Sequence, residues 1–122
     1  MPAGKLMVII PVFDHEHAIG AMVEGVMASG LDCLLVDDGS GPACARVLDE
    51  LARTHAPRVR LLRLASNQGK GGAVMAGFRE AARLGASHAL QIDANGQHDP
   101  GDIPRFADAS RLRSLQLQSC CA

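Results

Sequence analysis

The segment CLLVDDGS, residues 33–40, joins a continuous apolar run to an acidic turn. The apolar residues Cys33–Val36 are typical of a strand that is buried on both faces, as the strands of parallel sheets are. Asp, Gly and Ser then favour a turn. The segment therefore predicts a buried parallel strand that leads through a turn into a following helix.

Apolar runs and helical patterns alternate along the chain on both sides of this segment. Further apolar runs predict strands at residues 6–12, 59–64 and 89–92. Apolar residues at helical spacing predict helices at 19–27, 47–52 and 73–84, and Asp99-Pro100 resembles the start of another helix. This order predicts an α/β fold: a mostly parallel sheet with helices on both faces.

The composition indicates one globular domain and excludes several kinds of binding protein. A chain of 122 residues suits one domain, and 48% apolar residues suffice for a buried core. Aromatic residues make up only 2%, which argues against a stacking platform for bases. The formal charge of −1 argues against nucleic-acid binding. No apolar run approaches the roughly 20 residues that span a bilayer.

The cysteines and the end of the chain carry two further expectations. No C-x-x-C pair occurs, so we expect a reduced, cytoplasmic protein without a disulfide framework or a zinc site. We expect the domain to comprise residues 1–109. Residues 110–122, SRLRSLQLQSCCA, show no strand or helix-stop pattern. We interpret them as an atypical tail, open to disorder, that reflects a truncation or an altered reading frame near residue 110.

Polar clusters follow three of the predicted strands. They are Asp14-His15-Glu16, Asp37-Asp38 and Asp93-Ala94-Asn95-Gly96-Gln97. The carboxyl ends of parallel strands meet at one edge of the sheet, where ligands bind. Carboxylates gathered there would repel one another, and a divalent cation such as Mg²⁺ or Mn²⁺ would relieve the repulsion and suit a diphosphate. Each cluster alone is also typical of an ordinary turn, but together they favour a ligand site.

The segment NQGKGGA, residues 67–73, opens the third predicted helix. Backbone N–H groups at a helix start can bind an anion, and Lys70 adds a positive charge there. The segment does not fit a P-loop, since glycine follows the lysine, and it does not fit a dinucleotide fingerprint. The alternative is a flexible helix entry with a solvated lysine.

Four segments together resemble glycosyltransferase family 2. In chain order they are VIIPVFDHEHAI (8–19), VDDGS (36–40), NQGKGGA (67–73) and IDANGQHDP (92–100). The resemblance covers residues 5–109, and dolichol-phosphate mannosyltransferase-like enzymes of the cell envelope look most similar. It implies a GT-A fold, that is, a Rossmann-like nucleotide-binding half that binds a UDP- or GDP-sugar with Mg²⁺ or Mn²⁺.

The resemblance also implies the residues of the site. The substrate-binding residues would be Pro11, Phe13, His15, Val36, Asp38, Lys70, Asp93 and Ala94. Pro11 and Phe13 would line the nucleoside pocket, while Val36 and Asp38 would contact the base and the ribose. The metal and the diphosphate would be held by Asp93, Asn95 and Gln97.

Three positions depart from the family's pattern. Phe13 stands where Tyr is usual, His15 where an acidic residue is common, and Asn95 where the D-x-D motif has its second Asp. Phenylalanine keeps the ring without the hydroxyl. Asparagine keeps a ligating oxygen but lacks the negative charge, so we expect weaker metal binding rather than its loss.

In the family, the acceptor site and the catalytic base lie in the C-terminal half. The base is an acidic residue that deprotonates the acceptor hydroxyl. We therefore predict that this chain binds the donor but by itself transfers no sugar to a lipid-phosphate or glycan acceptor. The base, and any contact with the inner face of the membrane, would lie beyond the chain end.

Two other functions fit parts of the pattern. The first is a non-catalytic remnant that keeps the fold without the activity, which the short chain and Asn95 would suit. The second is a phospho-receiver-like signalling domain, in which Asp37-Asp38 would be the acidic pair and Asp93 the phosphorylated residue. A strand and a helix precede the acidic pair here, which argues against the second alternative.

Overall fold

Strands and helices alternate through residues 5–94, which the computed structural model describes together with the backbone of residues 112–114. The strands are β1 (Leu6–Val12), β2 (Asp32–Asp37), β3 (Val59–Arg63), β4 (His88–Gln91) and β5 (Leu112–Ser114). The helices are α1 (Ile19–Ala28), α2 (Pro42–Thr54) and α3 (Gly69–Arg83). The predicted helix start at Asp99-Pro100 lies outside the described residues.

The strands form one sheet in the order β3-β2-β1-β4-β5. Strand β1 pairs in parallel with β2 and with β4, and β2 pairs in parallel with β3. The chain thus adds β2 and β3 on one side of β1 and then returns to place β4 on the other side. The reversal of strand order falls at the centre of the sheet, beside β1.

The predicted α/β class with a mostly parallel sheet is confirmed, with one addition. Strand β5 pairs antiparallel with β4, and it lies in the segment 110–122, where the composition predicted no strand. Strand pairing uses backbone N–H and C=O groups that every such segment carries. A short segment can therefore extend the edge of a sheet without an alternating apolar pattern.

Helices cover both faces of the sheet because successive residues of each strand point to opposite faces. Ile10 and Leu35 lie in the core formed with α1 and α2. Ile9 and Leu34 lie in the core formed with α3. In the described part of the chain no helix is long and apolar enough to cross a membrane, and the longest, α3, has 15 residues.

Helix α3 lies unusually close to the two central strands. A β-carbon added at Gly77 would lie 2.6 Å from Cγ2 of Ile9 on β1 and 3.0 Å from Cγ2 of Val36 on β2. Both side chains are fully buried, so they cannot move aside into solvent. Because residue 77 has no side chain, α3 can rest on the sheet and hold its first turn over the carboxyl edge.

We predict that Gly77→Ala lowers the free energy of unfolding. Overpacking of a tight core costs about 1–3 kcal/mol, which exceeds the gain of about 1 kcal/mol from alanine's better helix propensity. Urea unfolding would measure the change. Gly71→Ala is the matched control on the same helix, since no atom lies within 4 Å of its added β-carbon. A destabilisation in Gly71→Ala as large as that in Gly77→Ala would contradict the packing argument.

Cys33 on β2 makes stability depend on pH in the alkaline range. Burial raises the pKa of the Cys33 thiol well above its usual value, and the neighbouring Asp32 carboxylate adds to the rise. The unfolded chain therefore loses this proton first, so the contribution of the thiol to stability is complete below about pH 8.5 and is lost above it.

The difference in unfolding free energy between the wild type and Cys33→Ala should therefore shrink as the pH rises above about 8.5. The slope expected for one proton is about 1.4 kcal/mol per pH unit. Denaturant titrations at a series of pH values would measure it. A difference that stays constant from neutral pH into that range would show that the thiol does not cause the effect.

Candidate functional site

A cavity of about 460 Å³ lies at the carboxyl edge of the sheet, beside the reversal of strand order. Its walls come from the ends of β1, β2 and β4 and from the start of α3. Every predicted substrate-binding residue except Val36 lines this cavity, together with Val12, Asn67 and Gly69. Ligands of open parallel sheets bind at such an edge and at such a reversal.

Val36 is the predicted residue that the structure does not bring to the cavity. Its side chain is fully buried in the core between the sheet and α3. The close approach of Gly77 covers it from above. A contact between this side chain and a bound base would need α3 to move away from the sheet.

Strand alternation decides which polar residues reach the cavity, because the cavity lies on the side of α3. In β1, residues 7 and 9 face α3, and Pro11 and Phe13 follow at the same spacing of two. In β2, residues 34 and 36 face α3, and Asp38 follows them. In β4, residue 89 faces α3, and Asp93 follows at even spacing.

Asp37, one residue before Asp38, faces the other side of the sheet. Its side chain is only 2% exposed, and its Oδ2 accepts a hydrogen bond from Nε of Arg63 at 2.8 Å. Its Oδ1 accepts one from the backbone N–H of Ser40 at 2.9 Å. Arg63 also reaches Asp49 of α2, and the hydrogen bond to Asp37 raises the pKa of its guanidinium. Through Arg63, Asp37 therefore links β2 to β3 and to α2.

Asp38 is also buried but borders the cavity. Its Oδ1 accepts a hydrogen bond from the backbone N–H of Gln68 at 2.7 Å, and its carbonyl accepts one from the side-chain amide of Asn67 at 2.9 Å. Gly39 has φ +83°, and a β-carbon there would lie 2.7 Å from the backbone nitrogen of Asn67. The turn after β2 thus packs directly on the turn before α3.

Asp14 joins the turn after β1 to the start of α2. Its φ of 58° is a left-handed conformation, which aspartate tolerates better than most residues. Its Oδ1 accepts a hydrogen bond from the backbone N–H of Gly41 at 2.8 Å, and its own N–H donates to Oγ of Ser40 at 3.0 Å. These contacts position the neighbouring residues Phe13 and His15 at the mouth of the cavity.

Phe13 and His15 form the outer wall of the cavity. The Phe13 side chain is 47% exposed, one of two exposed large hydrophobic residues in the part of the chain that the structure describes. Its backbone N–H donates a long hydrogen bond of 3.4 Å to Nδ1 of His15. In a neutral His15 that accepts this bond at Nδ1, Nε2 carries the N–H and can donate a hydrogen bond to a ligand.

Asp93 and Lys70 form an ion pair inside the cavity. Nζ of Lys70 lies 2.6 Å from Oδ2 of Asp93, and Oδ1 of Asp93 accepts a hydrogen bond from Nε2 of Gln91 at 3.0 Å. Gln91 and Arg63 are supporting residues that the sequence patterns do not predict. Gln91 could have been found from its spacing of two before Asp93, which places both on one face of the strand.

Three carboxylates of this edge each have a positive or N–H partner. Asp37 has Arg63, Asp93 has Lys70, and Asp38 has the N–H of Gln68. Repulsion among these three acids therefore does not by itself require a divalent cation. The case for a metal rests instead on the negative charge of the diphosphate that it would neutralise.

The described residues fit a divalent cation through one carboxylate. Asp93 borders the cavity with 28% of its side chain exposed. Residues 5–94 contain no group of three His, Cys, Asp or Glu side chains that could hold a metal. Mg²⁺ commonly uses one or two carboxylates together with substrate phosphates and water. The predicted ligands Asn95 and Gln97 lie outside the described residues.

Comparison with known proteins assigns the chain to a family. The family model for glycosyl transferase family 2 matches residues 7–111. The chain therefore belongs to glycosyl transferase family 2, and its fold is the Rossmann-like GT-A fold. The resemblance predicted from the four segments is confirmed, and the receiver-like alternative is set aside.

Curated relatives attach sugars to lipid phosphates, according to their names. The chain is 34% identical over 110 residues to a polyprenol monophosphomannose synthase of Mycolicibacterium smegmatis, covering 88% of this chain and 42% of that protein. It is 31% identical over 119 residues to an undecaprenyl-phosphate mannosyltransferase of Micrococcus luteus, covering 94% and 48%. The chain thus spans less than half the length of these relatives.

A solved structure shares the fold. The crystal structure of S. aureus TarS 1–349 superposes with a TM-score of 0.62 at 18% sequence identity, covering 75% of this chain and 27% of that one. The same protein has also been solved in complex with UDP, and it superposes equally well. At this identity the likeness supports the fold alone.

We predict that Arg63→Met strongly destabilises the protein, because it leaves the buried Asp37 carboxylate without its cation. Breaking a fully buried pair costs about 3–5 kcal/mol, and the 43% exposure of Arg63 should place this change toward or below the lower end. Adding Asp37→Asn should recover part of the loss. Arg83→Met removes a surface partner of Glu80 and should change urea unfolding little. Equal effects of the two arginine changes would contradict the role of Asp37.

Proposed function

We propose that residues 5–94 bind the nucleotide part of a UDP- or GDP-sugar, together with Mg²⁺ or Mn²⁺, for a glycosyl transfer. The observation that carries this proposal is the cavity at the carboxyl edge, where Phe13, Asp38, Lys70 and Asp93 meet. Membership of glycosyl transferase family 2 supports it.

The two ends of the cavity suit the two ends of a nucleotide. Pro11 and the exposed ring of Phe13 offer an apolar wall for a base. The Asp38 carboxylate is held in place by the N–H of Gln68 and can accept a hydrogen bond from a ribose hydroxyl. His15, at the mouth, can donate a hydrogen bond to a carbonyl of the base.

The start of α3 suits the diphosphate. Gly69 and Lys70 line the cavity at the first turn of the helix, where backbone N–H groups and the helix dipole favour anions. A divalent cation held by Asp93 would neutralise the diphosphate and stabilise it as a leaving group. Ala94, next to Asp93, also lines the cavity.

The acceptor in this proposal is a lipid phosphate, because the curated relatives carry polyprenol or undecaprenyl phosphate in their names. Transfer would then take place at a membrane surface. The residues that bind the acceptor and deprotonate it lie outside the described residues. We assign donor binding, and not the catalytic base, to residues 5–94.

We predict that UDP or GDP binds the 122-residue chain in a Mn²⁺-dependent manner and that Asp93→Asn removes this dependence. Loss of one charged partner at the metal should weaken binding in Mn²⁺ by about tenfold or more, since such an interaction is worth about 1.5–3 kcal/mol. Isothermal titration calorimetry with and without Mn²⁺ would measure both.

Glu50→Gln is the matched control, since it removes one carboxylate from the exposed surface of α2, away from the cavity. It should bind the nucleotides as the wild type does. Absence of binding of either nucleotide to the folded wild-type chain would favour the remnant alternative. Transfer of sugar to a lipid phosphate by this chain alone would contradict the assignment of the base to other residues.

A further inference from the structure

The Lys70–Asp93 ion pair joins two elements that are far apart in the sequence. Lys70 belongs to the first turn of α3, which follows β3 at one edge of the sheet, and Asp93 follows β4 on the other side of β1. Their 2.6 Å contact therefore bridges the cavity at the reversal of strand order. A ligand that enters between the two elements must meet this pair.

Both oxygens of the Asp93 carboxylate already accept hydrogen bonds from the protein. Lys70 takes Oδ2, and Gln91 takes Oδ1. Gln91 is neutral and can remain beside a bound cation. The ammonium of Lys70 is repelled, because a divalent cation coordinated by the same carboxylate would lie within a few ångströms of a like charge. Metal binding at Asp93 and the present position of Lys70 therefore oppose each other.

Lys70 can leave Asp93 without disturbing the core. Its side chain is 59% exposed, and its flexible four-carbon stem reaches into the cavity from the helix start. The first turn of α3 beside it is glycine-rich, and a β-carbon added at Gly69 or Gly71 would meet no atom within 4 Å. Because the Lys70 side chain is more than half exposed and borders the cavity, its ammonium can change partner.

We infer that Lys70 is a built-in counter-ion that a divalent cation must displace from Asp93, and that the displaced ammonium then binds the diphosphate of the donor. The inference rests on the proposed function and deepens it. Before binding, the lysine neutralises Asp93. After binding, the metal neutralises Asp93 and the lysine neutralises phosphate, so each charge keeps a partner of opposite sign.

This exchange couples the metal to the nucleotide. A cation that arrives alone must separate the ion pair and leave Lys70 beside it without a new partner, so it binds weakly. A diphosphate provides that partner, so it strengthens metal binding, and by reciprocity the metal strengthens nucleotide binding. The coupling depends on the charge of Lys70 and should be lost when that charge is removed.

Lys70→Met tests the exchange, because it removes the charge and keeps most of the apolar stem. Mn²⁺ binding without nucleotide, followed by the electron paramagnetic resonance signal of the free ion, should tighten by about fivefold or more, the lower end of the range for coupled sites. In the same variant, UDP or GDP should enhance Mn²⁺ binding less than in the wild type. Arg79→Met is the control, since it removes one positive charge from an exposed position of the same helix.

The double variant Lys70→Met/Asp93→Asn tests whether the gain in Mn²⁺ affinity arises at Asp93. It should lose the gain in Mn²⁺ affinity, whereas a gain that persists would place the ion elsewhere and overturn the inference. Mn²⁺ affinity in Lys70→Met that equals the wild type or Arg79→Met would also overturn it, even if the wild type binds nucleotide with Mn²⁺ as proposed. A tighter Mn²⁺ site in Lys70→Met, without nucleotide binding by the wild type, would support the ion-pair competition and refute the donor assignment.

Discussion

Helix α3 can rest on the centre of the sheet because residue 77 has no side chain. Ile9 and Val36 fill the space that a β-carbon at Gly77 would need, and both are fully buried. This contact fixes the height of α3 above β1 and β2. The first turn of the same helix brings Lys70 to the carboxyl edge, so the shape of the cavity depends on a packing contact two turns away from it.

The turns at the carboxyl edge hold one another through polar contacts. Asp14 reaches the start of α2, and Asp38 reaches the turn before α3. Lys70 then reaches Asp93 at the end of β4. The acids of this edge therefore serve two purposes: they order the backbone of neighbouring turns, and some of them also border the cavity. A carboxylate that is paired with a cation or an N–H group of the protein costs less to keep buried, which explains how Asp37 and Asp38 lie side by side at this edge.

The exchange inferred for Lys70 follows the same pattern, in which each charged group has a partner of opposite sign. In the proposed function, the carboxylate of Asp93 would bind the metal and the cationic helix start would bind the diphosphate. In the structure these two groups form an ion pair with each other. Ligand binding would separate them, and the free energy of that separation would couple the binding of the two ligands.

By itself, the sequence determined the alternation of elements, and through it the parallel sheet and the edge at which ligands bind. Apolar runs and helical spacing reflect directly which residues are buried, so the alternation of strands and helices can be predicted without the tertiary structure. Together with the family resemblance, it also predicted Phe13, Asp38 and Asp93 as residues of one site, and all three line one cavity. Only the tertiary structure separated Asp37 from Asp38. Which face of β2 lies toward α3, and where Arg63 stands on the neighbouring strand, are set by strand order and by helix packing.

The positions of Val36 and of the Lys70–Asp93 pair were also decided only by the tertiary structure. Val36 lies one alternation step from Asp38, but the close approach of α3 at Gly77 covers it. Lys70 and Asp93 are 23 residues apart and meet because β4 returns to the side of β1 opposite to β2. A pattern along the chain shows which residues share a face. Distances between elements come from packing, and packing is decided by all of the elements together.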